Sequence, residues 1–338
     1  MIKILVDTLG GDNSPKANID GAIMALKQNK DIHLILVGDE EIIKVGLEGA
    51  GIDMERISII HAPDVIDCND KPTEAMKLKK ESSMYKCYEL LRSEEDIGAM
   101  VSTGSTGALL VGAVLKLGRI KGVKRPAFCP VLPTMDGKIV GLTDSGANVD
   151  CDAELLRQFA IMGSLYMQKA YGVENPRVKL LNVGIEDEKG DLLRKEAHTI
   201  FKEEKRINFT GNMEARDFIT GCCDLVVSDG FSGNVLLKST EGACVEVMKL
   251  MKGAFYKNIK NKLGALLLKK DVMAIKNRMD YNNYGGAVLL GAKKTIVKGH
   301  GSSKAKSVCG CIEQAYNMEK NNLREAIALA MAQTEENK

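Results

Sequence analysis

Small polar residues and glycines collect at five points of this 338-residue sequence, and each collection follows a short run of β-branched or aliphatic residues. Asp7-Thr8-Leu9-Gly10-Gly11-Asp12 follows Ile2–Val6. Ser102-Thr103-Gly104-Ser105-Thr106-Gly107, Thr143-Asp144-Ser145-Gly146-Ala147-Asn148 and Ser228-Asp229-Gly230-Phe231-Ser232-Gly233-Asn234 each lead into a helical pattern, and Gly299-His300-Gly301-Ser302-Ser303 lies near the end. Glycine lets backbone approach a ligand closely, and the uncommitted N–H groups at a helix start attract anions such as phosphate. Taken singly, each loop is equally a tight turn with a helix cap. Aligned along one sheet edge, the set describes a phosphate or oxyanion site. His300, between two glycines and followed by two serines, is placed to exchange a proton near neutral pH. His33, His61 and His198 lack such company and read as structural. Asp7, Asp12, Asp144 and Asp229 fit either Mg²⁺ ligation or the orientation of backbone loops, and the second reading is preferred.

What must position these loops is a series of strands and helices in alternation. Ile2–Val6, Ile32–Val37, Ile57–Ile60, Gly98–Ser102, Lys138–Thr143, Val178–Val183 and Asp224–Ser228 read as strands, and near-continuous apolar runs suit a parallel sheet covered on both faces. Helical periodicity occupies about 16–29, 40–49, 73–92, 106–118, 152–171 and 188–204. The βαβα order predicts a three-layer α/β/α, doubly wound, mostly parallel sheet. In such a sheet all parallel strands end on one edge, where ligands bind. No linker or internal repeat divides the chain, so residues 1–338 read as one α/β domain. From about 234 to 280 the pattern is helical throughout. Within it Met251–Lys270 carries six lysines and no acid, with Phe255, Ile259, Leu263, Leu266 and Leu267 at three- and four-residue steps. A helical hairpin projecting from the α/β body would explain it, with Gly264 able to break the helix.

Composition removes other classes. The 47 Lys+Arg against 45 Asp+Glu leave a net charge of +2, which gives no steering toward nucleic acid. No apolar run approaches the roughly 18 residues of a spanning helix, and Met1–Asp7 turns acidic too early for a signal peptide. The nine cysteines form no C-x-x-C, so reduced thiols in the cytoplasm are expected, and none is assigned as a nucleophile. Dinucleotide and P-loop fingerprints, the G-x-S-x-G elbow and H-E-x-x-H are all absent.

Together, DTLGGD (7–12), STGSTGALL (102–110), RPAF (125–128), TDSGANVDCD (143–152), GNMEARD (211–217), SDGFSGNVLLK (228–238), YGGAVLLG (284–291) and HGSS (300–303) resemble the PlsX family, the acyl-carrier-protein-dependent phosphate acyltransferases of bacterial phospholipid synthesis. The blocks run in order through nearly the whole chain. The first departs from the usual DAMGGD-like start, and Ser105 stands where the family's loop has Asn. The resemblance implies that long-chain acyl-ACP and inorganic phosphate give acyl phosphate and free acyl carrier protein. It implies a homodimer, a fold similar to phosphotransacetylases and isocitrate- or isopropylmalate-dehydrogenase-like enzymes, and no metal or redox cofactor. A downstream glycerol-3-phosphate acyltransferase would consume the acyl phosphate.

That chemistry suits the loops. Phosphate is already nucleophilic, and a thiol of pKa near ~8.5 needs modest acid help to leave. What remains is to hold two reactants in line and stabilise a tetrahedral oxyanion. The expected cradle for phosphate and thioester is Gly10, Gly11, Asp12, Gly104, Ser105, Thr106, Gly107, Asp144, Gly146, Ala147, Asp229, Gly230, Ser232, Gly233, Gly301 and Ser302. The catalytic contacts would come from Asn148, Asn234, Lys238 and His300. Lys189, in the EDEKGD block, is either a solvated helix-start lysine or a phosphate contact. The basic hairpin has three readings: core or dimer packing, a peripheral contact with anionic lipid on the inner face of the cell membrane through Leu263, Leu266 and Leu267, or docking of the acidic carrier protein. A CoA-dependent phosphate acetyl- or butyryltransferase, a decarboxylating dehydrogenase and a non-catalytic membrane scaffold are the rivals.

Overall fold

Alternating side chains of the first strand decide how the molecule is layered. In the computed structural model, which describes residues 1–279 and 284–336, β1 (Ile2–Asp7) sends Ile4 and Val6 into one core and Leu5 into another. It lies parallel between β2 (Ile32–Gly38) and β4 (Ile97–Ser102). With β3 (Ile57–His61), β5 (Ala127–Cys129), β11 (Ala287–Leu290) and β12 (Thr295–Lys298) these form a seven-stranded sheet ordered β3-β2-β1-β4-β12-β11-β5. β12 is parallel to β4, whereas β11 is antiparallel to both its neighbours.

A second sheet of five strands runs β6 (Val131–Pro133)-β7 (Ile139–Thr143)-β10 (Leu225–Val227)-β8 (Arg177–Asn182)-β9 (Asn208–Glu214), parallel except for β6 against β7. The chain crosses between sheets at Cys129-Pro130-Val131. Pro130 has no N–H to give a ladder, which breaks the strand there, while its carbonyl accepts from Leu142 N at 3.1 Å.

The sequence reading placed its strands in one sheet; the α/β class holds, with those strands shared between two. One hydrophobic cluster spans both, from Ile4, Leu34 and Val101 to Phe159, Leu180 and Leu225. Over it lie α1 (Lys16–Gln28), α2 (Glu40–Leu47), α6 (Ala153–Tyr171), α7 (Leu192–Glu203), α10 (Ala305–Lys320) and α11 (Leu323–Glu336). On the other face of the first sheet lie α3 (Pro72–Leu78), α4 (Ser83–Ser93) and α5 (Thr106–Gly112). The start of α8 (Gly230–Tyr256) covers the second sheet through Leu236 and Leu237.

Three local expectations change. The helix expected over 73–92 is two, because the chain leaves helical geometry after Leu78 and Ser82 caps α4 by accepting from Tyr85 N. The helix expected from 188 starts at Leu192, where Asp191 accepts from Arg194 N. The basic segment does not break at Gly264: α9 (Ile259–Met279) runs through it, and the turn falls at Lys257–Asn258. Phe255 therefore sits on α8 and the four other apolar residues on α9. Beyond Leu237 the described residues of α8 and α9 bury no side chain, so this pair stands off the body as a hairpin. No described helix is long and apolar enough to cross a membrane.

Candidate functional site

The carboxyl ends of β1, β4 and β12 bring three of the expected loops together. Asp7 organises them: it is 2% exposed, its Oδ1 accepts from Gly10 N and from Ser83 Oγ at 2.6 Å, and its Oδ2 accepts from Ser102 Oγ at 2.6 Å. Gly10 lies so near the next loop that a Cβ would stand 2.6 Å from Gly104 N, and only glycine fits there. Asp12 N donates to Gly301 O at 2.8 Å, and Thr103 Oγ1 donates to Gly10 O at 2.6 Å. Gly10, Gly11, Asp12, Gly104, Ser105, Thr106, Gly107, His300, Gly301 and Ser302 are thereby one stitched surface. Ser105 takes a capping role, accepting from Ala108 N at the head of α5.

A matching pair of loops closes the second sheet. Asp144 is fully buried: Oδ1 accepts from Phe128 N (2.9 Å), Gly146 N and Ala147 N, and Oδ2 from Asn148 N (2.6 Å) and Asn148 Nδ2 (3.0 Å). Burial pushes its pKa up, and those hydrogen bonds oppose the rise. Asn148 spends its other amide proton on Pro126 O at 2.8 Å, so its nitrogen holds the loop shut. Gly230 N donates to Asn148 O, and a Cβ on Gly233 would fall 1.9 Å from Asp144 O, which lets α8 start hard against this loop. Asp229 caps α8 by accepting from Ser232 N at 2.8 Å. Asn234 is exposed opposite Gly146. Lys189 is exposed on the neighbouring β8 loop, where its carbonyl accepts from Asn182 Nδ2.

The two surfaces face one another. Ala147, from the second sheet's loop, packs on the cluster that backs the first sheet. Lys238, two turns into α8 and paired to Glu241 at 2.7 Å, acts electrostatically on both His300 and Lys298. Ser302 N, which can only donate, lies 3.2 Å from His300 Nδ1. That nitrogen is therefore an acceptor, Ser302 Oγ at 2.8 Å also donates to it, and neutral His300 carries its proton on Nε2. Burial first, then Lys238 and Lys298, lower the His300 pKa against the opposing pull of Glu241 and Asp12. At neutral pH His300 is thus a neutral donor through Nε2.

Sequence reasoning missed two residues here. Arg194, which no sequence motif singles out, donates to Ser232 Oγ at 3.0 Å and Asp191 Oδ2 at 2.9 Å, and pairs with Asp229. It fastens the start of α7 to the start of α8. Lys298, the last residue of β12, is 8% exposed. Its signal was a lysine closing an apolar run two residues before His300. Among the described residues no group of three or more His, Cys, Asp or Glu is placed to hold a metal ion. A cavity of about 360 Å³ between α7 and β9 is lined by His198, Phe201 and Phe209 and by none of the loop residues above.

Comparisons with known proteins agree with this layout. The family model described as fatty acid synthesis protein matches residues 2–326. A phosphate acyltransferase of Caldanaerobacter subterraneus subsp. tengcongensis is 48% identical over 322 residues, covering 95% of each chain. One from Bacillus subtilis is 44% identical over 322 residues, covering 95% of this chain and 96% of its own. Among solved structures, a phosphotransacetylase from Streptococcus pyogenes superposes with a TM-score of 0.59 at 17% identity, covering 94% of both chains, which is a likeness of fold.

Proposed function

Because the chain belongs to the fatty acid synthesis protein family, we propose that it moves a long acyl chain from the thiol of acyl carrier protein to inorganic phosphate. A phosphate oxygen attacks the thioester carbonyl and forms a tetrahedral intermediate. Its collapse breaks the C–S bond, the electron pair leaves on sulfur, and the carrier thiol is released once protonated. His300, neutral and protonated at Nε2, gives a hydrogen bond to the developing oxyanion or to the departing sulfur, and the proton that ends on the thiol comes from the attacking hydrogen phosphate. The backbone N–H groups of Ser105, Thr106 and Gly107 at the start of α5, with Asn234 and Lys238, hold phosphate and carbonyl in line, whereas the N–H groups of 146–148 and the Ser232 hydroxyl are given to Asp144 and Asp229. Asp144, Asn148 and Asp229 shape the loops and leave the direct contacts to their neighbours.

The observation that carries this reading is the meeting of glycine loops from two sheets around one histidine flanked by lysines, in a chain nearly half identical to phosphate acyltransferases. Such a site binds anions and stabilises an oxyanion with no nucleophilic side chain of its own.

The hairpin completes the proposal. Leu263, Leu266 and Leu267 are 61%, 65% and 85% exposed on α9, amid Lys260, Lys262, Lys269 and Lys270. Dimer packing along the hairpin and a peripheral contact of these leucines with the inner face of the cell membrane would cover them. A membrane-side location also suits a product consumed by a glycerol-3-phosphate acyltransferase.

The test is phosphate-dependent release of free thiol from purified palmitoyl-ACP without metal or nucleotide, with acyl phosphate trapped by hydroxylamine. Release that scales with phosphate supports the proposal. Turnover confined to acetyl- or butyryl-CoA would place the chain with CoA-dependent phosphate acyltransferases, and inactivity on both substrates would sink the enzymatic reading.

A further inference from the structure

Burying an ammonium group is costly unless an anion compensates it. Lys298 is the buried lysine of the described core, at 8% exposure. Its Nζ donates to Gly299 O and, at 3.4 Å, to Thr103 O. Among the described residues no carboxylate comes within the 4.0 Å of an ion pair. The carboxylate that acts on it electrostatically is Asp7, whose oxygens already accept from Gly10 N, Ser83 and Ser102. Cys311 from α10, Cys68 from the segment after β3, Lys238 from α8 and His300, whose own pKa Lys298 lowers, are further titratable groups around Lys298. Two carbonyls satisfy two of its three protons. They also fix the ammonium at the junction of the 102–107 and 299–303 loops.

We propose that Lys298 is an anion-binding residue of this site, its third N–H directed to an oxygen of the phosphate held between those two loops. This rests on the reading of the crevice as a phosphate site and extends it to a residue that no loop motif contains. Burial brings the lysine down to about 8, so at pH 7 it still carries its charge, and a bound anion would hold that proton more firmly. Lys238, exposed and already paired to Glu241, cannot offer the same uncompensated charge.

The experiment measures binding of inorganic phosphate to the full chain by calorimetry or ³¹P line broadening, for the wild type, Lys298→Met and Lys298→Gln. Gln keeps a neutral donor for the two carbonyls should Met fail to fold. The expected result is at least about a tenfold loss of phosphate affinity in a folded variant, the scale of a charge-assisted hydrogen bond. In turnover, the same variant should raise KM for phosphate more than it lowers kcat. A folded variant with wild-type phosphate affinity overturns the inference and leaves Lys298 as a clamp between two loops, as does a wild type that binds no phosphate. Lys298-dependent binding without acyl phosphate formation would keep this inference while the functional reading falls. Acyl phosphate formation with an unchanged KM for phosphate in Lys298→Met would do the reverse.

Discussion

At the scale of single residues, the site separates groups that face substrate from groups that hold loops, and this division was only partly legible in the sequence. Asp144, Asn148 and Asp229 belong to motifs that look chemical, yet each spends its polar atoms on holding the loops, through backbone groups and through neighbouring side chains. Arg194 shows the opposite case, a residue without a motif that carries structure. Its side chain is 15% exposed and that of its partner Asp229 is 8% exposed. Arg194→Met strands a buried carboxylate at the head of α8, so a loss of about 3 kcal/mol is expected in urea unfolding. A change below about 0.5 kcal/mol would show the pair to be solvated. His300 makes the pH prediction. Its pKa lies below the ordinary 6.5, so at pH 7 the neutral form predominates. Protonation converts Nδ1 from acceptor to donor, which gives up the contact from Ser302 N and turns the Nδ1 contact with Ser302 Oγ at 2.8 Å into a bond donated by the ring. Activity should therefore fall as pH drops through the His300 pKa, and at limiting phosphate it should also fall above about pH 8 as Lys298 loses its charge. His300→Ala should lose about 10²-fold or more in kcat across the range. With four histidines in the chain, the titration can be followed by NMR. A His300 midpoint above 6.5 would contradict the assignment.

At the scale of elements, the strands read best were those buried on both faces, such as β1, β2 and β4, because continuous apolar runs leave little ambiguity. β9, with the sequence NFTGNME, lies at a sheet edge and escaped notice because its burial is incomplete and its residues are polar. β5 and β6 are three residues each, too short for a periodic signal. The hairpin was visible as a helical stretch, but its turn was not: Lys257-Asn258 carries no glycine or proline, and Gly264 drew the eye instead. Since α9 passes through Gly264, Leu263, Leu266 and Leu267 share one short stretch of continuous helix, each more than half exposed. Leu266→Glu should leave the unfolding midpoint within about 0.5 kcal/mol of wild type, because the side chain buries little. The same change should abolish most co-sedimentation with vesicles containing phosphatidylglycerol, since a carboxylate opposes both the apolar contact and the anionic surface. Binding unaltered by Leu266→Glu would remove the membrane role from this helix. A lowered dimer mass in light scattering would assign the leucine to the subunit contact instead.

For the whole molecule, the sequence pointed to a parallel edge lined with loops, and the structure supplies two such edges facing each other. No local pattern could announce this, because the division depends on β5 and β6 flanking Pro130 and on non-local pairing of β12 with β4. Two sheets offer a natural hinge, which raises the question of whether they behave as separate folding units. The core argues against it. Leu34 in β2 and Leu180 in β8 are both fully buried, and they belong to one continuous cluster that crosses from sheet to sheet beneath α6, α10 and α11. Asp144 adds a polar tie, accepting from Phe128 N beside the crossing. A structure joined in this way should lose both sheets together. Leu34→Ala and Leu180→Ala should each cost about 2–5 kcal/mol, and each should lower the same single transition, with circular dichroism and hydrogen exchange in both sheets moving in concert. Two separated transitions, with Leu34→Ala shifting one and Leu180→Ala the other, would show that the crevice lies between independently stable halves. Its closure would then be a matter of how those halves meet rather than of the loops alone.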